Sequence, residues 1–174
     1  MGVSPRLLAA VRRLEKAEVD RGKQGTKRST AVDGGGIPLG SIADGANRND
    51  SPLLAPTLDH GCKSVGGLPE GASVHLECGY DSKVSRERLE ARGLYPEISQ
   101  KGKPAAALAA TKRWVVERTN SWHNAHKKLV WCTERRGRVI DFWIAFSEVI
   151  IVVRRLIREG WIRYRWDNRP ARRP

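Results

Sequence analysis

The chain has 174 residues, enough for one domain and too few for two comfortable ones, and its 40% apolar content supports a packed core. Thirty-two Lys and Arg against 19 Asp and Glu leave a net charge of +13, which argues for a polyanionic partner, nucleic acid first. Cys62, Cys78 and Cys132 are odd in number and contain no C-x-x-C, arguing against a disulfide framework and a zinc site and fitting a reducing cytoplasm.

In chain order, Ser4-Pro5 signals a helix start, and Leu7, Leu8, Val11 and Leu14 predict one amphipathic helix to about residue 17. Its frequent charges do not suit a signal peptide. A basic loop at 20–28 precedes two short strands, "STAVD" and "IPLGSIA", joined through Gly34-Gly35-Gly36 as a hairpin. Asp50 or Ser51 can cap a helix that Pro52 begins and that runs to about Leu58, followed by a glycine-rich loop over 61–72. "SVHLE" (73–77) reads as a strand. Asp81 or Ser82 then caps a helix to about Arg92, with Asp81 the favoured cap and Gly93 just past its end. "LYPEIS" is a further strand, 111–129 a long helix, and 138–159 a last helix. The apolar run 139–153 contains Asp141 and Glu148 and is too short to span a bilayer, so it predicts a buried helix and no membrane partner.

Two acidic stretches stand out. In 73–77, Val74 and Leu76 point to one face of the strand and His75 and Glu77 to the other, which puts Glu77 at the strand's C-terminal end, where open α/β sheets bind ligands. In 113–124, Arg113, Glu117, Ser121 and Asn124 share one helix face. On its own, the first acid reads equally as a surface residue and the second as half of an Arg113–Glu117 surface pair. One acid from a strand end and one from a helix are also what a divalent-cation phosphoryl-transfer site uses, normally with a third on a neighbouring strand. His123 and His126 lie at metal-compatible spacing but have no third ligand near in sequence. Arg113, Arg118, Lys127, Lys128, Arg135 and Arg136, interleaved with tryptophans, are the candidate DNA contacts.

Taken together, "VDRGKQGTKRSTAVDGGGIPLG", "GANRNDSPLL", "HLECGYDSKVSRERLEARG", "KRWVVERTNSWHN" and "CTERR" resemble bacterial insertion-sequence transposases of the DDE type, from about Val19 to Trp166. The resemblance implies a ribonuclease H-like mixed sheet flanked by helices and Mg²⁺ (or Mn²⁺) as cofactor. Its partners would be double-stranded DNA as element ends and target, with a homodimer as a further option. By position, the family's second acid falls at Glu77 and its closing glutamate at Glu117, four residues after the supporting Arg113.

Three departures accompany it. Glu77 stands where the family has aspartate, moving the carboxylate by roughly 1.5 Å. Ala110 and Asn124 stand where the family's signature tyrosine and lysine would fall. The family's first acid lies on its first strand, whereas residues 1–18 read as a helix with no acid-bearing strand. The expectation is therefore a non-family helix over 1–18, a partial catalytic domain over 19–166 lacking its first strand, and a basic tail over 167–174. Such a chain is a truncated transposase with impaired cleavage and strand-transfer chemistry. Its rival is a non-catalytic, basic DNA-binding remnant, and Asp33 is a substitute for the first acid only if its hairpin position allows.

Overall fold

The computed structural model describes residues 6–11, 25–46, 50–100 and 107–164, with side chains described for 25–46, 50–100 and 114–164. Five strands form one mixed sheet: β1 (Arg6–Val11), β2 (Thr26–Asp33), β3 (Pro38–Gly45), β4 (Ser73–Leu76) and β5 (Tyr95–Ile98), in the order β3-β2-β1-β4-β5. The pairs β1–β2 and β2–β3 are antiparallel, and β1–β4 and β4–β5 are parallel.

The central position of β1 corrects the expected 1–18 helix and the expected absence of a first strand: "RLLAAV" is that strand, bonded on both sides. A short apolar run has no periodicity that separates helix from strand, and the centre of a sheet takes continuous apolar sequence, so pairing decides. The hairpin forms as expected. Asp33 ends β2 and accepts from the backbone N–H groups of Gly35 (2.8 Å) and Ile37 (2.7 Å), while Gly36 takes a left-handed φ of 82°.

Five helices cover the sheet: α1 (Leu54–Val65), α2 (Lys83–Glu90), α3 (Ala107–Asn124), α4 (Lys127–Val130) and α5 (Gly137–Arg163). A short 3-10 turn at Ser51–Leu53 leads into α1, which then continues through 61–65, expected as loop, to a left-handed C-cap at Gly66. The extension follows from close packing on β3. A Cβ at Gly40 would lie 2.7 Å from the His60 ring and 3.0 Å from the Gly61 nitrogen, so this contact requires glycine. Asp50 makes no capping bond and pairs with Lys27 instead. At α2 the cap is Ser82, whose Oγ accepts from the Ser85 N–H at 3.2 Å, while Asp81, the favoured cap, pairs with Arg86.

One face of the sheet meets α1 and α2, where Leu54, Leu58, Val74, Leu76, Leu89 and Leu94 form a closed apolar core. On the other face, Val115 and Val116 of α3 pack on Val32, and Leu129 of α4 joins Ile140 and Ile144 of α5. The run 139–153 is not fully buried as expected. Ile140, Ile144, Ser147 and Ile151 face inward, whereas Phe142, Phe146, Val149 and Val153 are exposed. Among the described residues no helix is long and apolar enough to cross a membrane. The 167–174 tail lies outside the described residues, as do residues 12–24.

Candidate active site

Glu77 follows the last residue of β4 with extended backbone (φ −72°, ψ 163°), and its carbonyl accepts from the Tyr80 N–H as a short 3-10 turn begins. Glu77 is exposed at the strand end, as its position predicts, whereas His75, expected on the same face, is buried and pairs with Glu97. The parallel register Leu7↔Val74, Leu8↔His75, continued by two residues, brings Ala10 level with Glu77, and the antiparallel register pairs Ala10 with Thr30. An acid at position 10 would thus stand on the strand next to Glu77, about 4.8 Å away in the pairing direction. No residue of β1 is acidic.

Asp33 does not fill this place. It pairs in register with Leu7, near the start of β1, at the opposite end of the sheet from Glu77, and its carboxylate is engaged in the hairpin turn. A row that runs along parallel strands has two ends, and the turn residues lie at the wrong one.

Glu117 is exposed on α3, which packs on β1 and β2. Its helix is fastened just after it: Arg118 donates to the Gly35 carbonyl, and the Thr119 hydroxyl donates to the Gly36 carbonyl at 2.6 Å. Glycine is favoured at position 36 by its left-handed φ of 82°, and a Cβ there would also push on the Arg118 guanidinium, 2.7 Å away. Arg118, a candidate DNA contact, lies between the Trp114 and Trp122 rings, 4.4 and 4.9 Å from their centroids. That geometry fits a packing role for its guanidinium. Arg113 lies within α3, but its side chain and its pairing with Glu117 are outside the described residues.

The remaining candidate cations sit around α4. Lys127, Lys128 and Arg135 are exposed, Lys127 lying over the Trp131 ring. Arg136 grips Glu134 through two nitrogens (3.0 and 2.9 Å), and this holds the Glu134 carboxyl at about 2, well below the usual carboxylate range.

Sequence reasoning missed a buried polar cluster between β2, β3, α3 and α5. Glu148 accepts from the Ser41 hydroxyl, whose oxygen also lies within hydrogen-bond distance of the Thr30 hydroxyl (2.9 Å), and Arg28 donates to Asn124. Burial raises the Glu148 pKa, with the Ser41 hydrogen bond and the charges of His60 and Arg28 pulling it back. His123 is fully buried with Nε2 4.0 Å from Glu148, and neither ring nitrogen has a hydrogen-bond partner among the described residues. Burial first, then the positive charge of Arg28 and His126, lower its pKa to about 3. His126 instead meets the edge of Phe146, so the two histidines do not converge. The signal in sequence was a glutamate inside an apolar helix.

Carboxylate oxygens are the donor type a hard cation such as Mg²⁺ takes, but the donor number falls short where β1 offers Ala10. Among the described residues no three His, Cys, Asp or Glu side chains are grouped to hold a metal ion.

The family model of the transposase DDE domain matches residues 10–146. A Burkholderia cepacia protein described as a transposase for insertion sequence element IS402 is 34% identical over 124 residues, which cover 69% of this chain and 59% of that protein. The chain therefore spans less than two thirds of that relative's length. Among solved structures, a chain of the simian T-cell lymphotropic virus intasome, determined in complex with PP2A regulatory subunit B56 gamma, superposes with a TM-score of 0.51 at 12% identity. The match covers 84% of this chain and 48% of that one, and at this identity it speaks to the fold alone. The matched family region begins inside β1 and ends inside α5, taking in both Glu77 and Glu117, and the chain belongs to the DDE transposase domain family.

Proposed function

We propose that this chain is the ribonuclease H-like catalytic module of an insertion-sequence transposase, acting in DNA transposition, with phosphodiester cleavage and strand transfer impaired. The observation that carries this reading is the row Thr30–Ala10–Glu77 across β2, β1 and β4. The family resemblance assigns Glu77 and Glu117 as metal-holding carboxylates, and it expects an acid on the first strand. Here that strand is present and acid-free. The impairment thus follows from one side chain and not from a missing strand. A divalent Mg²⁺ or Mn²⁺ would supply charge stabilisation for the displaced oxygen; with Ala10 in the row, this chain lacks one of its ligands, and we derive no step through the ion.

The same observation favours a second reading, a non-catalytic DNA-binding protein. Exposed Lys127, Lys128 and Arg135 and the net charge of +13 support duplex binding without sequence preference, weakening steeply with salt as counterions are released.

One experiment separates the two. The chain is assayed for cleavage and strand transfer, with Mg²⁺ or Mn²⁺, on DNA carrying the element's ends. The native sequence is expected to bind this DNA and leave it uncut. Ala10→Asp combined with Glu77→Asp is expected to gain metal-dependent cutting that Glu117→Gln abolishes. Robust cutting by the native chain, lost on Glu117→Gln, would sink the impairment. A double variant that folds and binds but never cuts favours the non-catalytic reading.

A further inference from the structure

The outer face of α5 carries an apolar stripe that the sheet leaves open. Phe142, Phe146, Val149, Val153 and Leu156 recur at spacings of four, three, four and three, over about 21 Å of helix. Phe142 and Leu156 are each 59% exposed and Val149 57%. The inward face, Ile140, Ile144, Ser147 and Ile151, changes character further along the helix. Arg154, Arg155 and Arg158 follow Ile151 at three, four and seven residues, so the same face turns from core to cation, and every residue from Val153 to Glu159 is exposed. Arg155 pairs with Glu159, while Arg154 and Arg158 have no acidic partner among the described residues. The excess continues in the sequence. From Val153 to Pro174 eight arginines stand against Glu159 and Asp167, with Trp161, Tyr164 and Trp166 among them.

We propose that α5 lies on an anionic lipid surface, with the stripe sunk to the level of the headgroups and the arginines held against their phosphates. A helix with aromatic and branched side chains along one face and arginines on the other is built to lie in the plane of a bilayer. A cluster of this many basic residues on and beside such a helix is what anionic headgroups attract. Arginine stems are long enough to run along the apolar face and bring the guanidinium groups back to the headgroups.

Stripe and charge select that occupant together. An exposed apolar patch of this extent on a charged chain marks an interaction surface. A polyanion without an apolar phase would take the arginines and leave Phe142 and Leu156 in water. A protein groove would have to match the row of rings and branched chains in shape, whereas lipid conforms to it. Among the described residues no helix is long and apolar enough to cross a membrane, so the contact is with the surface. The length of the apolar run argues against a span and does not bear on a helix lying flat. This inference stands apart from the transposase reading, because it uses neither Glu77 nor Glu117.

The test is flotation of the chain with lipid vesicles at physiological ionic strength, read as the bound fraction against lipid concentration. Two compositions are compared, phosphatidylcholine alone and phosphatidylcholine with phosphatidylglycerol in equal parts. The native chain is expected to float with the mixed vesicles and to stay behind with phosphatidylcholine. Val149→Gln combined with Leu156→Gln changes exposed positions and no charge, and is expected to weaken binding by about 10-fold or more. Arg154→Gln combined with Arg158→Gln is expected to weaken it by about 10-fold and to flatten its salt dependence. The circular dichroism of both variants should match that of the native chain. Depth is read in a Cys62, Cys78 and Cys132→Ser background shown to remain folded. An environment-sensitive dye on Phe146→Cys should shift to the blue on mixed vesicles, and the same dye on Lys83→Cys of α2 should not. No flotation with mixed vesicles would overturn the proposal. So would equal binding by the native chain and the Val149 and Leu156 double variant, which is adsorption by net charge alone, or self-association through the stripe with no vesicle binding.

Discussion

On one side of the sheet, Leu58 of α1 and Leu89 of α2 close on Val74 and Leu76 of β4, and the buried Thr57 hydroxyl of α1 is bonded to Ser29 and the Leu53 carbonyl. On the other, Val32, Val115 and Val116 form a small apolar patch beside a buried His123, a half-buried Glu148 and the fully buried hydroxyls of Thr30, Thr119 and Ser147. The two faces thus differ in what they bury, apolar side chains on one and polar groups on the other. The apolar face fastens β4 to its helices and so fixes the strand end that bears Glu77. The polar face carries α3, and with it Glu117, at the cost of desolvating ionisable groups.

The largest expected effect tests the apolar side. Leu58 is fully buried, so Leu58→Ala should lose about 3 kcal/mol through transfer and cavity terms, read as a shift of the denaturant midpoint. Val116→Ala, on the other face, removes fewer atoms from a smaller cluster and should cost about 1–2 kcal/mol. Equal losses would show that the two faces share the work of holding the fold.

The polar side can be sharpened by pH. His123 titrates near 6.5 when unfolded and at about 3 when folded, so the unfolded chain binds more protons between those values. Stability is therefore complete above about 6.5 and falls as the pH drops towards 3, by roughly 1.4 kcal/mol per pH unit at its steepest. Glu148 acts with the opposite sign, since its raised folded pKa makes stability fall as pH rises above about 4.5. His123→Leu should remove the acid-side loss and leave the Glu148 slope exposed. An unchanged profile between pH 7 and 5 would mean that His123 gains a proton without leaving its site.

Much of the frame could be read in the sequence, where local chemistry alone decides. The Asp33-Gly36 turn has its own hydrogen bonds, the apolar Val74 and Leu76 mark β4, and Gly93 stops α2. What was illegible depends on pairing. β1 is a strand because two neighbours bond to it, and the level of Ala10 with Glu77 is a register, which no periodicity encodes. The wrong end for Asp33 follows from that register too. The inward Glu148 and outward Phe142 on α5 were equally hidden, because a helix apolar on most of its circumference does not announce which side meets the sheet.

The smallest expected effect bears on whether the polar face is a cost at all. The raised pKa of Glu148 states that burial penalises its charge by more than Ser41, His60 and Arg28 return. Replacing it by glutamine keeps an oxygen to accept from Ser41 and removes the charge. Glu148→Gln should therefore gain stability near pH 8, where the native carboxylate is ionised in the unfolded chain and penalised by burial in the folded one. The sign requires the gain to shrink as the pH falls and to vanish below about 4.5, where the unfolded carboxyl is protonated as well. Chemical denaturation of both proteins at pH 8 and pH 4 measures this directly. A variant less stable than the native chain at pH 8 would mean that the charge on Glu148 is needed beside Arg28, and that this face is held by an ion network where the other is held by its leucines.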